Sequence, residues 1–92
     1  MDREQILETA ISLITGDRHK SYGEASAHFA EVAKVWSVVL GQEVSSADVL
    51  LCMVSLKLVR LSGDSTHLDS WIDLAGYSGL GGELSRIKED EE

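Results

Sequence analysis

Residues 45–61, SSADVLLCMVSLKLVRL, decide the fold. From Val49 to Leu61 the clearly polar residues are Ser55, Lys57 and Arg60, without the strict alternation of a half-buried strand, so the stretch reads as a helix. A hydroxyl at Ser45 or Ser46 can accept from a free amide of the first turn, and Asp48 suits the positive end of the helix dipole. Ser62-Gly63-Asp64-Ser65 is a turn-forming stop. A helix apolar on nearly all sides is predicted to be the central helix of its domain.

Working outward, the period of 3.6 persists. Upstream, Glu24 to Leu40 carries Phe29, Val32, Ala33, Trp36, Val39 and Leu40 as one broad apolar face, ended by Gly41. Before it, Asp2 to Thr15 sets Ile6, Ala10 and Leu13 beside Leu7, Ile11 and Ile14, with Gly16 as the stop. Downstream, Ser65 or Thr66 is expected to cap a fourth helix reaching about Lys88. Its Gly76, Gly79, Gly81 and Gly82 each lower helix propensity by up to roughly 1 kcal/mol relative to Ala. They predict close approach of another helix, or a break near Gly81-Gly82. There is no proline and no internal repeat. The expected architecture is a small all-α, four-helix domain over residues 1–88 with an acidic tail at 89–92.

A chain of 92 residues, 43% apolar and 26% charged, is the size of one globular domain with a thin core, so self-association is expected. No apolar run reaches the ~18–20 residues of a membrane span, and no signal peptide opens the chain. Cys52 stands alone, which excludes a disulfide framework or a thiolate zinc cluster and fits a reducing cytoplasm. The net charge of −8, half of it in the tail, comes without any basic stripe. That argues against bulk nucleic acid as a partner, while a pocket with two or three cations could still hold a small anion. Cys52 is expected to be an inert core residue, Trp36 and Trp71 core or subunit-interface anchors, and His28 and His67 capping or surface groups.

Two groups of polar residues could carry chemistry. Lys57 and Arg60 share a stripe with Leu50, Met53 and Leu61, while Asp69, Asp73 and Tyr77 follow one another at i, i+4, i+8 on the next helix. Two cations on one buried-looking face and two carboxylates on the next can meet across the connecting turn. They would form either an internal ion-pair and tyrosine network or a site in which the cations hold phosphate and the carboxylates bind magnesium or ligand hydroxyls. The second group is the connector Gly16-Asp17-Arg18-His19-Lys20-Ser21-Tyr22-Gly23. There Arg18 and Lys20 could contact phosphate and Tyr22 could stack on a base, or the segment is a solvated turn anchored by Tyr22.

Two runs, TGDRHKSYGEASAHFAEVAKVWSVVLG from Thr15 and LKLVRLSGDSTHLDSWIDLAGYSGL from Leu56, resemble a family of small phage and prophage proteins described as a domain of unknown function. Its pattern is R-x-x-x-Y-G, W, K-x-x-R and D-x-x-x-D-x-x-x-Y, met here by Arg18, Tyr22, Gly23, Trp36, Lys57, Arg60, Asp69, Asp73 and Tyr77. The same order of motifs is similar to a phage helical domain associated with nucleotide modification. More distantly it resembles the all-α nucleoside triphosphate pyrophosphohydrolases. Those enzymes hold magnesium with a Glu-x-x-Glu pair, which this chain lacks: Glu24 and Glu31 are seven apart.

The residues and the resemblance together support a phage-type helical protein of the bacterial host cytoplasm that binds a small phosphorylated, nucleotide-like ligand as a homo-oligomer, in phage nucleotide metabolism or to sequester a host nucleotide signal, with catalysis not expected. Arg18, Lys20, Lys57 and Arg60 would meet phosphate, Tyr22 would stack, and Asp69, Asp73 and Tyr77 would orient the cations. One alternative is a magnesium-dependent nucleotide pyrophosphohydrolase with the metal on Asp69 and Asp73. The other is a protein-interaction module without a ligand or cofactor, its polar motif a stability network.

Overall fold

The computed structural model describes residues 1–15 and 22–91, the side chains of 22–26 and 86–91 excepted. Four helices follow in chain order: α1 (Arg3–Thr15), α2 (Tyr22–Leu40), α3 (Ser46–Gly63) and α4 (Leu68–Glu91). Among the described residues there is no strand, as the periodicity predicts. α4 packs on both α3 and α1, and α2 packs on α3. The main helix contacts thus run in the order α1–α4–α3–α2.

Local chemistry fixes the ends. Ser45 Oγ accepts from the Asp48 amide at 3.1 Å and the Asp48 carboxylate accepts from the Ser45 amide at 3.0 Å, a reciprocal box that starts α3 where its sequence places it. Asp2 and Gln5 make the same exchange ahead of α1, both bonds at 2.9 Å. α2 stops at Gly41, whose φ of +69° costs a residue without Cβ little, and the Gln42 amide reaches back to the Ser37 carbonyl at 3.2 Å. Ser37 then ties the turn to the helix: its hydroxyl donates to the Ala33 carbonyl at 2.7 Å and accepts from the Val44 amide at 2.9 Å.

The α3–α4 turn differs from its sequence expectation. α4 begins at Leu68, so neither Ser65 nor Thr66 flanks it. Thr66 instead donates through its amide and its hydroxyl to the Asp64 carboxylate, an Asx turn that satisfies Thr66 before the helix begins. His67 takes the flanking position, with Nδ1 2.7 Å from the hydroxyl of fully buried Ser70. Trp71 closes the turn by donating from Nε1 to the Ser65 carbonyl at 2.9 Å, though its ring is 47% exposed.

The glycines of α4 take the first of the two roles predicted for them. α4 is continuous through Gly81 and Gly82 and runs on to Glu91. A Cβ at Gly76 would stand 3.2 Å from Ile14 Cγ2, and one at Gly79 3.4 Å from Ile14 Cδ1, so these two glycines admit α1. Gly82 faces open space.

The core is thin. Ala10, Ala33, Val49, Leu50, Leu61 and Ile72 are its buried apolar side chains among the described residues. The radius of gyration is 14.2 Å, where about 12 Å is usual for this length. The accessible surface of 6665 Å² compares with about 5,200 Å² for a compact monomer of this mass. Among the described residues, several apolar groups that the sequence pattern assigns to the core stand in water. Val39 and Leu40, expected to face inward from α2, are 75% and 60% exposed. Cys52 is exposed as well, not a core residue. Both corrections have one cause: α3 has α4 on one side and α2 on a second, and nothing among the described residues covers the rest of it.

Candidate functional site

Helical geometry sets Lys57 two turns after Leu50 on the side of α3 that meets α4, and Asp73 on the side of α4 that meets α3. The ammonium and carboxylate join at 3.0 Å, with side chains 20% and 36% exposed. This pair realises half of the network predicted across the α3–α4 turn. The other half does not assemble: Arg60 and Asp69 are both exposed, and Tyr77 is half-buried one turn beyond Asp73.

Arg60 is exposed although it lies one turn after Lys57 and only 60° around the axis from it, so its place on the stripe does not by itself bring it a partner. Asp69 lies in the first turn of α4 and is exposed, while its neighbour Ser70 is fully buried. Arg18 and Lys20 of the connector, and the side chain of Tyr22, lie outside the described residues. Among the described residues no group of three or more His, Cys, Asp or Glu side chains converges as a metal site would. Asp73, one of the two carboxylates considered for magnesium, is held by Lys57. Asp64, at the head of the turn, has its pKa lowered by the Thr66 hydroxyl and amide that bond to it, with His67 adding a weaker electrostatic pull.

The second candidate is apolar, and sequence reasoning missed it because it sees a stripe's period but not which neighbour covers it. On α3, Leu51, Leu56, Leu58 and Val59 are 63%, 61%, 54% and 70% exposed. Cys52 and Val59 each lie two residues, or 200°, beyond a residue that faces α4, namely Leu50 and Lys57. They therefore project from the opposite side of the helix. On neighbouring α2, Val35, Val38 and Val39 are 58%, 83% and 75% exposed, at the i, i+3, i+4 spacing of a single face. The charge of Lys57, the one charged residue of α3 between Asp48 and Arg60, is drawn inward by Asp73, so the outer face of α3 presents no charge of its own along that stretch.

Fold and surface together define a small all-helical domain with an ion pair between α3 and α4 and a broad, largely apolar outer face. Its membership is settled by the family model of a domain of unknown function (DUF6378), which matches residues 5–85; the chain belongs to that family. It is 42% identical over 87 residues to the gene 55 protein of Mycobacterium phage D29, an alignment covering 95% of this chain and 56% of the relative. Against the gene 55 protein of Mycobacterium phage L5 the identity is 36% over 87 residues, covering 94% and 55%. The chain spans about half the length of the curated relatives it matches. No solved structure matches it. The phage family named from the motifs is thereby shown. No helix among the described residues is long and apolar enough to cross a membrane.

Proposed function

We propose that this phage-type domain is a protein-interaction module, working through the largely apolar outer face of α2 and α3. The observation that carries the reading is the exposure of Val38 and Val39 at 83% and 75%, one turn from exposed Val35 on α2, and of Val59 at 70%, one turn from exposed Leu56 on neighbouring α3. Monomeric proteins rarely leave so many contiguous apolar side chains in water, and such faces mark interaction sites. Under this reading the Lys57–Asp73 pair fixes how α4 sits on α3, a register role rather than a ligand site.

The nucleotide-like ligand implied by the family's motifs makes a different demand on the same residues. Lys57 would have to leave Asp73 to meet phosphate, with Arg60 beside it and Asp69 or Asp73 turned to hydroxyls or magnesium. A thermal-shift screen with mono-, di-, tri- and cyclic nucleotides, with and without magnesium, separates the two. A ligand at 100 times its Kd raises stability by about 2.7 kcal/mol, a shift of many degrees in a domain this small. The interaction module gives no saturable shift with any of them. A shift that is lost in Arg60→Ala would overturn it in favour of the ligand, and appearance of product would favour the hydrolase.

A further inference from the structure

We infer that the occupant of the α2–α3 face is a second copy of this chain, docked hairpin on hairpin so that two α2–α3 pairs complete a four-helix bundle. The inference rests on the interaction reading above and names its partner. α2 and α3 are consecutive helices joined by the short turn at Gly41–Ser45, and they already pack on each other. Two such hairpins stacked through apolar faces are a standard route to a bundle. Val35 and Val39 on one helix, with Cys52, Leu56 and Val59 on the other, supply the core-facing positions.

Area supports the assignment. An exposed valine or leucine offers on the order of 100 Å² of apolar surface. With their exposed neighbours on the same two helices, these side chains come to roughly 800 Å², about one partner's share of a standard-size interface.

Charge supports it too. Each copy carries −8, so association must be through a surface that keeps those charges apart. The outer face of α3 is uncharged between Asp48 and Arg60, apart from Lys57, whose ammonium is turned to Asp73. A partner chosen by its positive charge would be met by carboxylates in the contact; that stretch of α3 has none, and on α2 the exposed Glu31 stands one turn from the exposed, oppositely charged Lys34. Two acidic copies joined through an apolar patch have a distinctive salt response. Added salt screens their mutual repulsion and tightens the dimer, whereas an interface made of ion pairs weakens.

The test is sedimentation of the full chain from 1 to 100 µM, at low and high salt, beside Val39→Glu and Val59→Glu. Both substituted residues are at least 70% exposed within one copy, so circular dichroism should show the helices intact in either variant. The expected result is twice the 10.0 kDa chain mass for the wild type, association that tightens several-fold with salt, and single-chain mass for both variants. Single-chain mass for the wild type at 100 µM overturns the second copy while leaving the interaction reading to stand with another protein. A dimer that survives both substitutions, or that loosens with salt, places the contact on a different face and overturns the proposal as well. The nucleotide screen decides the interaction reading itself, so the two failures remain distinct.

Discussion

The two sides of α3 are made of the same residues and meet opposite fates. On the inner side Val49, Leu50 and Leu61 are 1%, 3% and 7% exposed, and Lys57 finds a carboxylate. On the outer side Leu51, Leu56, Leu58 and Val59 stand more than half in water. Composition does not distinguish them; the neighbour does. α4 can cover only an arc of a helix whose apolar surface runs nearly all the way round, and α2 covers one arc more. The comparison teaches that a helix apolar on every side demands more neighbours than three other helices of this chain provide in this arrangement.

The sharpest way to break the comparison is to truncate adjacent leucines. Leu50→Ala removes a buried side chain beside Gly81 and should cost about 2–5 kcal/mol, read as a lower denaturant midpoint. Leu51→Ala, measured at high dilution, should change stability by about 0.5 kcal/mol or less. Equal losses at the two positions would contradict the assignment of inside and outside.

The glycines of α4 extend the test to the α1 contact. Gly76→Val adds bulk where a single Cβ already stands 3.2 Å from Ile14, and should destabilise by about 1–3 kcal/mol. Gly82→Ala meets open space and should stabilise by about 0.5–1 kcal/mol through helix propensity alone. Thermal melts of the pair should therefore move in opposite directions.

Removing the ion pair is expected to matter less than removing core. Asp73→Asn leaves Lys57 partly buried without its charge partner, between the surface and fully buried limits, at a cost of about 1–2 kcal/mol. A loss near that of Leu50→Ala would mean that the pair anchors α4 more firmly than its exposure suggests.

The smallest effect is at the turn. Asp64 titrates below its ordinary 3.8 in the folded chain, so its ionised form is the one folding favours. That contribution is present above the unfolded value and fades as pH falls through the lowered one. Thr66→Val removes the hydroxyl donor, and its stability curve should run parallel to wild type above pH 5 and lose less on acidification below it.

Much of the helical layout was legible from local chemistry. Ser45 and Asp48 announce the start of α3, Gly41 the end of α2, and the crowded glycines of α4 the approach of another helix, because each acts within a turn or two of its own position. The start of α4 was misread since Asp64 captures Thr66 before it can cap, a competition between two short-range partners that a cap rule ranks wrongly. The Lys57–Asp73 pair was visible because a charge on an apolar stripe asks for a partner. Arg60 and Asp69 share that stripe on paper, yet both are exposed, and which members of a stripe gain a partner depends on the crossing of the two helices. The outer face was invisible for the same reason. Val39 and Cys52 satisfy every rule for a core residue, and what they lack is a neighbour.

Cys52 offers the most direct measurement of that missing neighbour, because its thiol lies on the outer side of α3. The rate at which a thiol reagent labels it should be followed from nanomolar to 100 µM protein in native buffer. If a second copy covers the face, labelling is fast in dilute solution and slows progressively as the concentration rises through the dimer Kd. A rate that is fast at every concentration would contradict the second copy, and a rate that is slow even at nanomolar protein would contradict the exposed face itself.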